Sequence, residues 1–264
     1  MKTNSILDEI CEKSRAELER AKNETPFDAL LSKLDSANPR APFKAALKKS
    51  GEIAVIAELK KASPSRGLIR ENFDYLNLAR ELQGAGAAAL SVLTEKNYFL
   101  GDIEYLRNVS MVVGVPLLRK DFIFDKYQIC QAKLFGASAV LLIARMLSES
   151  EFSELFSFAK KIGLDVLAEA HNLEEIKMLA GCGADIIGVN CRNLADFSTN
   201  FSAGELLISG IPDGVVKVYE RAIDSPETLS RAKNAGADAA LIGSALMESQ
   251  NPSLKLKELL KGAK

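Results

Sequence analysis

The chain has no tryptophan and only one histidine, His171, among its 264 residues. A single imidazole cannot assemble a histidine-based metal site. The four cysteines, Cys11, Cys130, Cys182 and Cys191, include no Cys-x-x-Cys pair, so they read as reduced packing thiols rather than a disulfide frame or zinc ligands. An excess of one charge is missing too. With 34 basic against 35 acidic residues the formal net charge is -1, which leaves no electrostatic footprint for nucleic acid. No apolar run approaches the roughly 20 residues of a membrane span. The opening segment MKTNSILDEICEKSRAELER is charged and amphipathic, without an apolar signal core. The expectation is a cytoplasmic chain with no membrane or nucleic-acid partner. A Gly-x-Gly-x-x-Gly turn is also absent after the first apolar run, which argues against an open dinucleotide-binding sheet.

What the chain does have is repetition. GAAALSVL from Gly86, GASAVLLI from Gly136, GADIIGVN from Gly183 and GADAALIG from Gly236 each place a glycine where a left-handed residue closes a helix, then an apolar run of strand length. Between them lie AVIAELK, VPLLRKD, DVLAEAH and VVKVYER, giving eight strands separated by helix-length patterns. Ser148 to Glu151 and Asn172 to Glu175 have capping-box spacing, and Ser225-Pro226 and Asn251-Pro252 put proline at a first helical position. Strands alternating with helices run parallel, and eight such units close into a (β/α)8 TIM barrel, for which roughly 250 residues suffice. The expected organisation is one α/β domain over 1–264. Residues 1–50 form an N-terminal extension, with ILDEICEKSRAELERAK, FDALLSKL and PFKAALKK as helices packed over the barrel and partly covering one mouth.

In a barrel the C-terminal strand ends meet at one mouth, where active sites sit. The stretch VIAELKKASPSRG ends the first buried run in charge, which costs free energy unless it is paired or used. The other odd-numbered strands end similarly: Glu58 and Lys60 are joined by Lys120, Glu169 and Glu220, while the sixth strand delivers Asn190 and then Arg192. Such crowding is expected to push a lysine among cations down and a carboxylate near another carboxylate up. The eighth strand runs through Gly243 and Ser244 into a helix start, a place where barrels often bind phosphate through backbone N–H groups. With Ser63, Gly67 and the turn after strand seven, a phosphate-sized pocket is expected there.

IAELKKASPSRG, SVLTEKNYFLGD, PLLRKDFIFDKYQI, VLAEAHNLEE, IIGVNCRNL and ALIGSALM resemble, in order and over essentially the whole chain, the motifs of the indole-3-glycerol-phosphate synthase family of tryptophan biosynthesis. The resemblance implies ring closure of 1-(2-carboxyphenylamino)-1-deoxyribulose 5-phosphate to indole-3-glycerol phosphate, with loss of CO2 and water and with neither cofactor nor metal. It makes Lys120 the general acid at the ketone oxygen. Glu169 and Glu58 become proton carriers in the dehydration, and Lys60 the holder of the substrate carboxylate. Asn190 and Arg192 would orient the substrate, with Glu220 in support. It assigns Pro64, Phe99, Phe122, Leu141, Ile143, Leu194 and Leu241 to a slot for the aromatic ring, and Ser63, Gly243 and Ser244 to the phosphate. The division of labour among Glu58, Lys60 and Glu169 in the dehydration stays open, as does association with other enzymes of the pathway.

One departure stands out. Where the family pattern reads Glu-Ser-Gly-Ile after strand seven, this chain has Glu220-Arg221-Ala222-Ile223. Ala222 is expected to keep a backbone contact to phosphate in a conformation better suited to glycine. Arg221 would either add a charge-assisted bond to phosphate or point away. Cys191 also stands where Asn or Ser is common. Two alternatives accompany the main reading: a phosphoribosylanthranilate isomerase, which would need a Cys and Asp pair, and a non-catalytic barrel binding a phosphorylated ligand.

Overall fold

The computed structural model describes residues 6–48, 50–190 and 201–263. Eight parallel strands close into a barrel: β1 (Ala54–Leu59), β2 (Ala89–Leu93), β3 (Leu117–Lys120), β4 (Ala139–Ile143), β5 (Asp165–Ala170), β6 (Ile186–Asn190), β7 (Val216–Glu220) and β8 (Ala239–Ile242). β8 pairs back onto β1, so no edge remains. Side chains alternate between two environments. Ile56, Leu118, Leu141, Leu167, Val218 and Leu241 face the barrel interior, whereas Val55, Leu90, Val140, Val166 and Ile187 face the surrounding helices. Burial on both faces explains why the strands read as continuous apolar runs rather than half-polar ones.

The helices begin and end where the local chemistry dictates. The four repeat glycines, Gly86, Gly136, Gly183 and Gly236, all have φ between 84° and 106°, the left-handed region that an L side chain resists. Ser148 and Ser225 complete reciprocal capping boxes, and Pro226 and Pro252 open their helices. Glu175 departs slightly from the expected pattern: its carboxylate reaches back to the N–H of His171, one residue before the cap Asn172.

The N-terminal extension forms α1 (Ile6–Glu24), α2 (Phe27–Leu31) and α3 (Phe43–Leu47). α1 lies along the C-terminal side of the barrel. Leu18 packs with Tyr127 and Leu30, Lys22 pairs with Asp125 at 2.7 Å, and Ile6, Leu7 and Ile10 reach the mouth. α3 does something the sequence did not announce and seals the opposite end. Ala54, Ala89, Ala139 and Ala239 leave the bottom of the barrel hollow, and the fully buried Phe43 and Leu47 fill it. Lys44 ties α3 there through its N–H to Asp165 and its ammonium to Asp185, both at 2.9 Å. Covering of the mouth at the C-terminal strand ends is thus the work of α1. Among the described residues no helix is long and apolar enough to cross a membrane.

Candidate active site

Strand alternation carries Glu58 and Lys60 from β1, Lys120 from β3, Glu169 from β5, Asn190 from β6 and Glu220 from β7 to one mouth, all of them buried or nearly so. Lys60 Nζ lies 2.8 Å from Glu58 Oε1. Lys120 Nζ lies 3.2 Å from Glu169 Oε2 and 3.7 Å from Glu220 Oε2. Asn190 Nδ2 donates to Glu169 Oε1 at 3.0 Å, and Arg221 Nε donates to Asn190 Oδ1 at 3.0 Å. Two glycines make this density feasible. A Cβ at Gly188 would collide with the Glu220 carboxylate, and one at Gly243 with Glu58 and Lys60.

Proton affinities follow from the packing. Burial favours neutral Glu58 and Glu169, but Lys60 and Lys120 hold Glu58 down, while Lys120, His171 and Asn190 hold Glu169 well below the usual carboxylate range. Glu220 goes the other way. Burial and the nearby Glu169 charge push it up to about 8, because Lys120 sits closer to Glu169. Burial and the neighbouring Arg221 press Lys60 below its ordinary value, although Glu58 opposes them. Lys120 goes the other way from Lys60, because its neighbours are mostly carboxylates rather than cations. Burial does lower it, yet Glu169, Glu220 and Glu58 outweigh burial and raise it.

The mouth opens into two adjoining cavities of about 870 and 930 Å³, the open solvent at their rims included. Glu58, Lys60, Lys120 and Arg221 line both and mark the junction. Pro64, Phe99, Phe122, Leu141 and Ile143 line the first, so five of the residues assigned to a ring slot are brought together there. Phe99 is placed there by Glu95, whose buried carboxylate accepts from the N–H groups of Asn97, Tyr98 and Phe99 at 2.8 to 2.9 Å. Glu220, Ala222, Gly243 and Ser244 line the second. Two residues exchange places relative to the sequence reading. Ser63 lines the first, apolar cavity, and Leu241, in register with Glu220, lines the second, more polar one. Gly67 is exposed in a short hairpin and lines neither.

Arg221 and Ala222 have φ of 92° and 56°, so both non-glycine residues occupy the positive-φ region. Arg221 neither turns away nor addresses the second cavity alone; its bond to Asn190 sets it at the junction. Cys191, Arg192 and Leu194 lie outside the described residues. Among the described residues neither cavity is lined by a cysteine. Sequence reasoning missed Ile6, Leu7 and Ile10, whose contact with the mouth is purely tertiary, and Asp121 and His171. His171 was within reach, because it follows Glu169 by two positions and therefore shares its inward face.

Comparison with known proteins adds an independent line. The family model described as indole-3-glycerol phosphate synthase matches residues 7–259. A Campylobacter jejuni protein named indole-3-glycerol phosphate synthase is 45% identical over 258 residues, covering 97% of this chain and all of that protein. Proteins of the same name from Aliarcobacter butzleri and Koribacter versatilis are 44% and 42% identical; they cover 95% and 97% of this chain and 95% and 99% of their own lengths. Among solved structures, a 3-hexulose-6-phosphate synthase aligns with a TM-score of 0.64 at 14% identity, over 80% of this chain and 100% of that one. The orotidine 5'-phosphate decarboxylase of Pyrococcus horikoshii aligns with 0.61 at 13%, over 79% and 98%. At such identities the structural matches speak for the barrel alone.

Proposed function

The chain belongs to the indole-3-glycerol phosphate synthase family, and from that premise we propose how its mouth closes an indole ring on 1-(2-carboxyphenylamino)-1-deoxyribulose 5-phosphate. The substrate has an aromatic acid at one end, a phosphate at the other and a ketone between. The mouth has an apolar cavity, a polar cavity and a lysine at their junction. The phenyl ring enters between Phe99 and Phe122, whose centroids are 6.1 Å apart, and the phosphate lies toward Gly243, Ser244 and the N–H of Ala222. Such two-ended binding brings the ring carbon to the carbonyl and removes entropy before the bond forms.

Lys120 then protonates the ketone oxygen as the ring carbon attacks. Its partners keep it charged at neutral pH, so it acts as acid rather than as nucleophile. The carboxyl group leaves as CO2, and its bonding electrons begin to restore the aromatic ring. Lys60, at the junction, holds that carboxylate before it departs. Loss of the new hydroxyl as water, with removal of a proton from the neighbouring carbon, completes the indole; Glu169 and Glu58 carry those protons. Asn190 orients the substrate hydroxyls, and Arg221 shares that task through its bond to Asn190. We assign the enzyme to the cytoplasm on the strength of the same biosynthetic reading.

The observation that carries this account is the Lys120 and Glu169 pair, 3.2 Å apart, with Lys120 at the junction of the two cavities and Glu169 in the wall of the apolar one. The chain has no tryptophan and only five tyrosines, so a new indole is readily seen. Mixing enzyme with substrate should give a rise in indole emission matched by one CO2 per turnover. A protein that binds the phosphorylated substrate but yields neither would instead be the non-catalytic binding barrel.

A further inference from the structure

His171 is the chain's one histidine, and the ring closure described above gives it no task. It stands one residue beyond β5, two after Glu169, with its side chain 4% exposed. Nε2 lies 3.4 Å from Glu169 Oε1, and Nδ1 lies 3.2 Å from Glu175 Oε2. Glu175 is itself fixed on the first turn of α4 (Leu173–Gly181). It accepts from the His171 N–H at 2.8 Å and from Asn172 Nδ2 at 2.9 Å, and Arg145 approaches its other side at 3.7 Å.

A neutral imidazole has one N–H and one lone pair, so between two carboxylates one nitrogen would face an oxygen lone pair to lone pair. The imidazolium has two N–H groups and satisfies both. The carboxylates that touch the ring favour that charged state, and one nearby cation opposes it. Glu169 comes from β5 and Glu175 from α4; Arg145, on the turn after β4, opposes protonation; Lys120 and Glu220 lie beyond Glu169 and Asn190 is neutral. Burial favours the neutral ring, but the two carboxylates overcome it and push His171 up to about 9.

We propose that His171 is a positioning residue for Glu169: an imidazolium clamped between Glu169 and Glu175 that fixes Glu169 Oε1 and leaves Oε2 to exchange protons with Lys120 and the substrate. Asn190 Nδ2 holds the same Oε1 at 3.0 Å, so two donors from two strands set the plane of the carboxylate. The positive ring also keeps Glu169 ionised, which in turn keeps Lys120 protonated. This deepens the ring-closure reading and rests on Glu169 being a proton carrier in it.

With a single histidine, the imidazole NMR signals of the whole enzyme belong to His171 and can be followed without any activity. The ring should titrate near 9, and Glu175→Gln should lower that midpoint by about one pH unit or more. In turnover, His171→Gln should leave KM within about twofold, lower kcat about tenfold and move the acid limb of kcat/KM upward by about one unit, as Glu169 loses a cation. An imidazole titrating near 6.5 in the wild type would overturn the clamp, as would a His171→Gln enzyme with an unmoved acid limb, whatever its kcat. If the wild type forms no indole at all, the ring-closure reading fails, while the NMR titration still decides the state of His171.

Discussion

Arg221 and Ala222 show how one substitution pair can be read at the level of single residues. Both carry positive φ without the freedom of glycine, a strain of roughly 1–2 kcal/mol for an L residue in the left-handed region. Glycine also loses more entropy on folding, so Ala222→Gly should stabilise the protein by only about 0.5–1 kcal/mol in denaturant melts. An unchanged or lower midpoint would mean the turn is not strained. Glu220 gives a sharper test through pH. Its proton stays on to about 8 in the folded chain but leaves near 4.5 in the unfolded one. Between those values the native state holds the extra proton, so this group makes stability fall as pH rises. Glu220→Gln should flatten that part of the profile of Tm against pH, and an unaltered slope would show that the carboxyl is ionised at neutrality. The positions of Glu58, Lys120, Glu169 and Glu220 were legible because strand alternation dictates them. The upward shift of Lys120 was not, since it depends on which carboxylates three other strands bring within reach.

At the scale of elements, the extension divides its labour between the two ends of the barrel. Phe43 of α3 is fully buried at the bottom, far from the chemistry. Phe43→Ala should therefore cost about 3–5 kcal/mol of stability while leaving KM unchanged in assays below the unfolding temperature. Leu7 of α1 lines the aromatic cavity, and Leu7→Ala should do the reverse, raising KM several-fold with little change in Tm. If both variants altered KM alike, the assignment of α1 to the mouth and α3 to the base would be wrong. Helical periodicity revealed these elements, because it reports that one face is buried. It does not report against what, and only the small alanines at the strand starts explain why α3 docks where it does. The place of Leu241 in the second cavity has a similar origin, in its barrel register with Glu220, whereas Ser63 is placed by the short hairpin that follows β1.

For the molecule as a whole, closure was legible from the count of alternating units, because eight parallel strands with short connections leave few other topologies. The partition of the mouth into an apolar and a polar compartment was less so, since it arises from loops, the first helix and strand ends that meet only in the folded chain. The overall charge of -1 conceals a local imbalance. Lys60, Lys120, Arg221 and protonated His171 gather around ionised Glu58, Glu169 and Glu175, with Glu220 neutral. An anionic substrate should thus bind less well as salt rises, and KM should increase between 0.01 and 0.15 M ionic strength, where the screening length shrinks from about 30 to 8 Å. The most direct measurement of the central claim is made on Lys120→Ala, by following substrate binding and indole emission in the same cuvette. Binding should persist within a few-fold of wild type while emission stays flat; indole formation at a rate near that of the wild type would contradict the role given to the lysine.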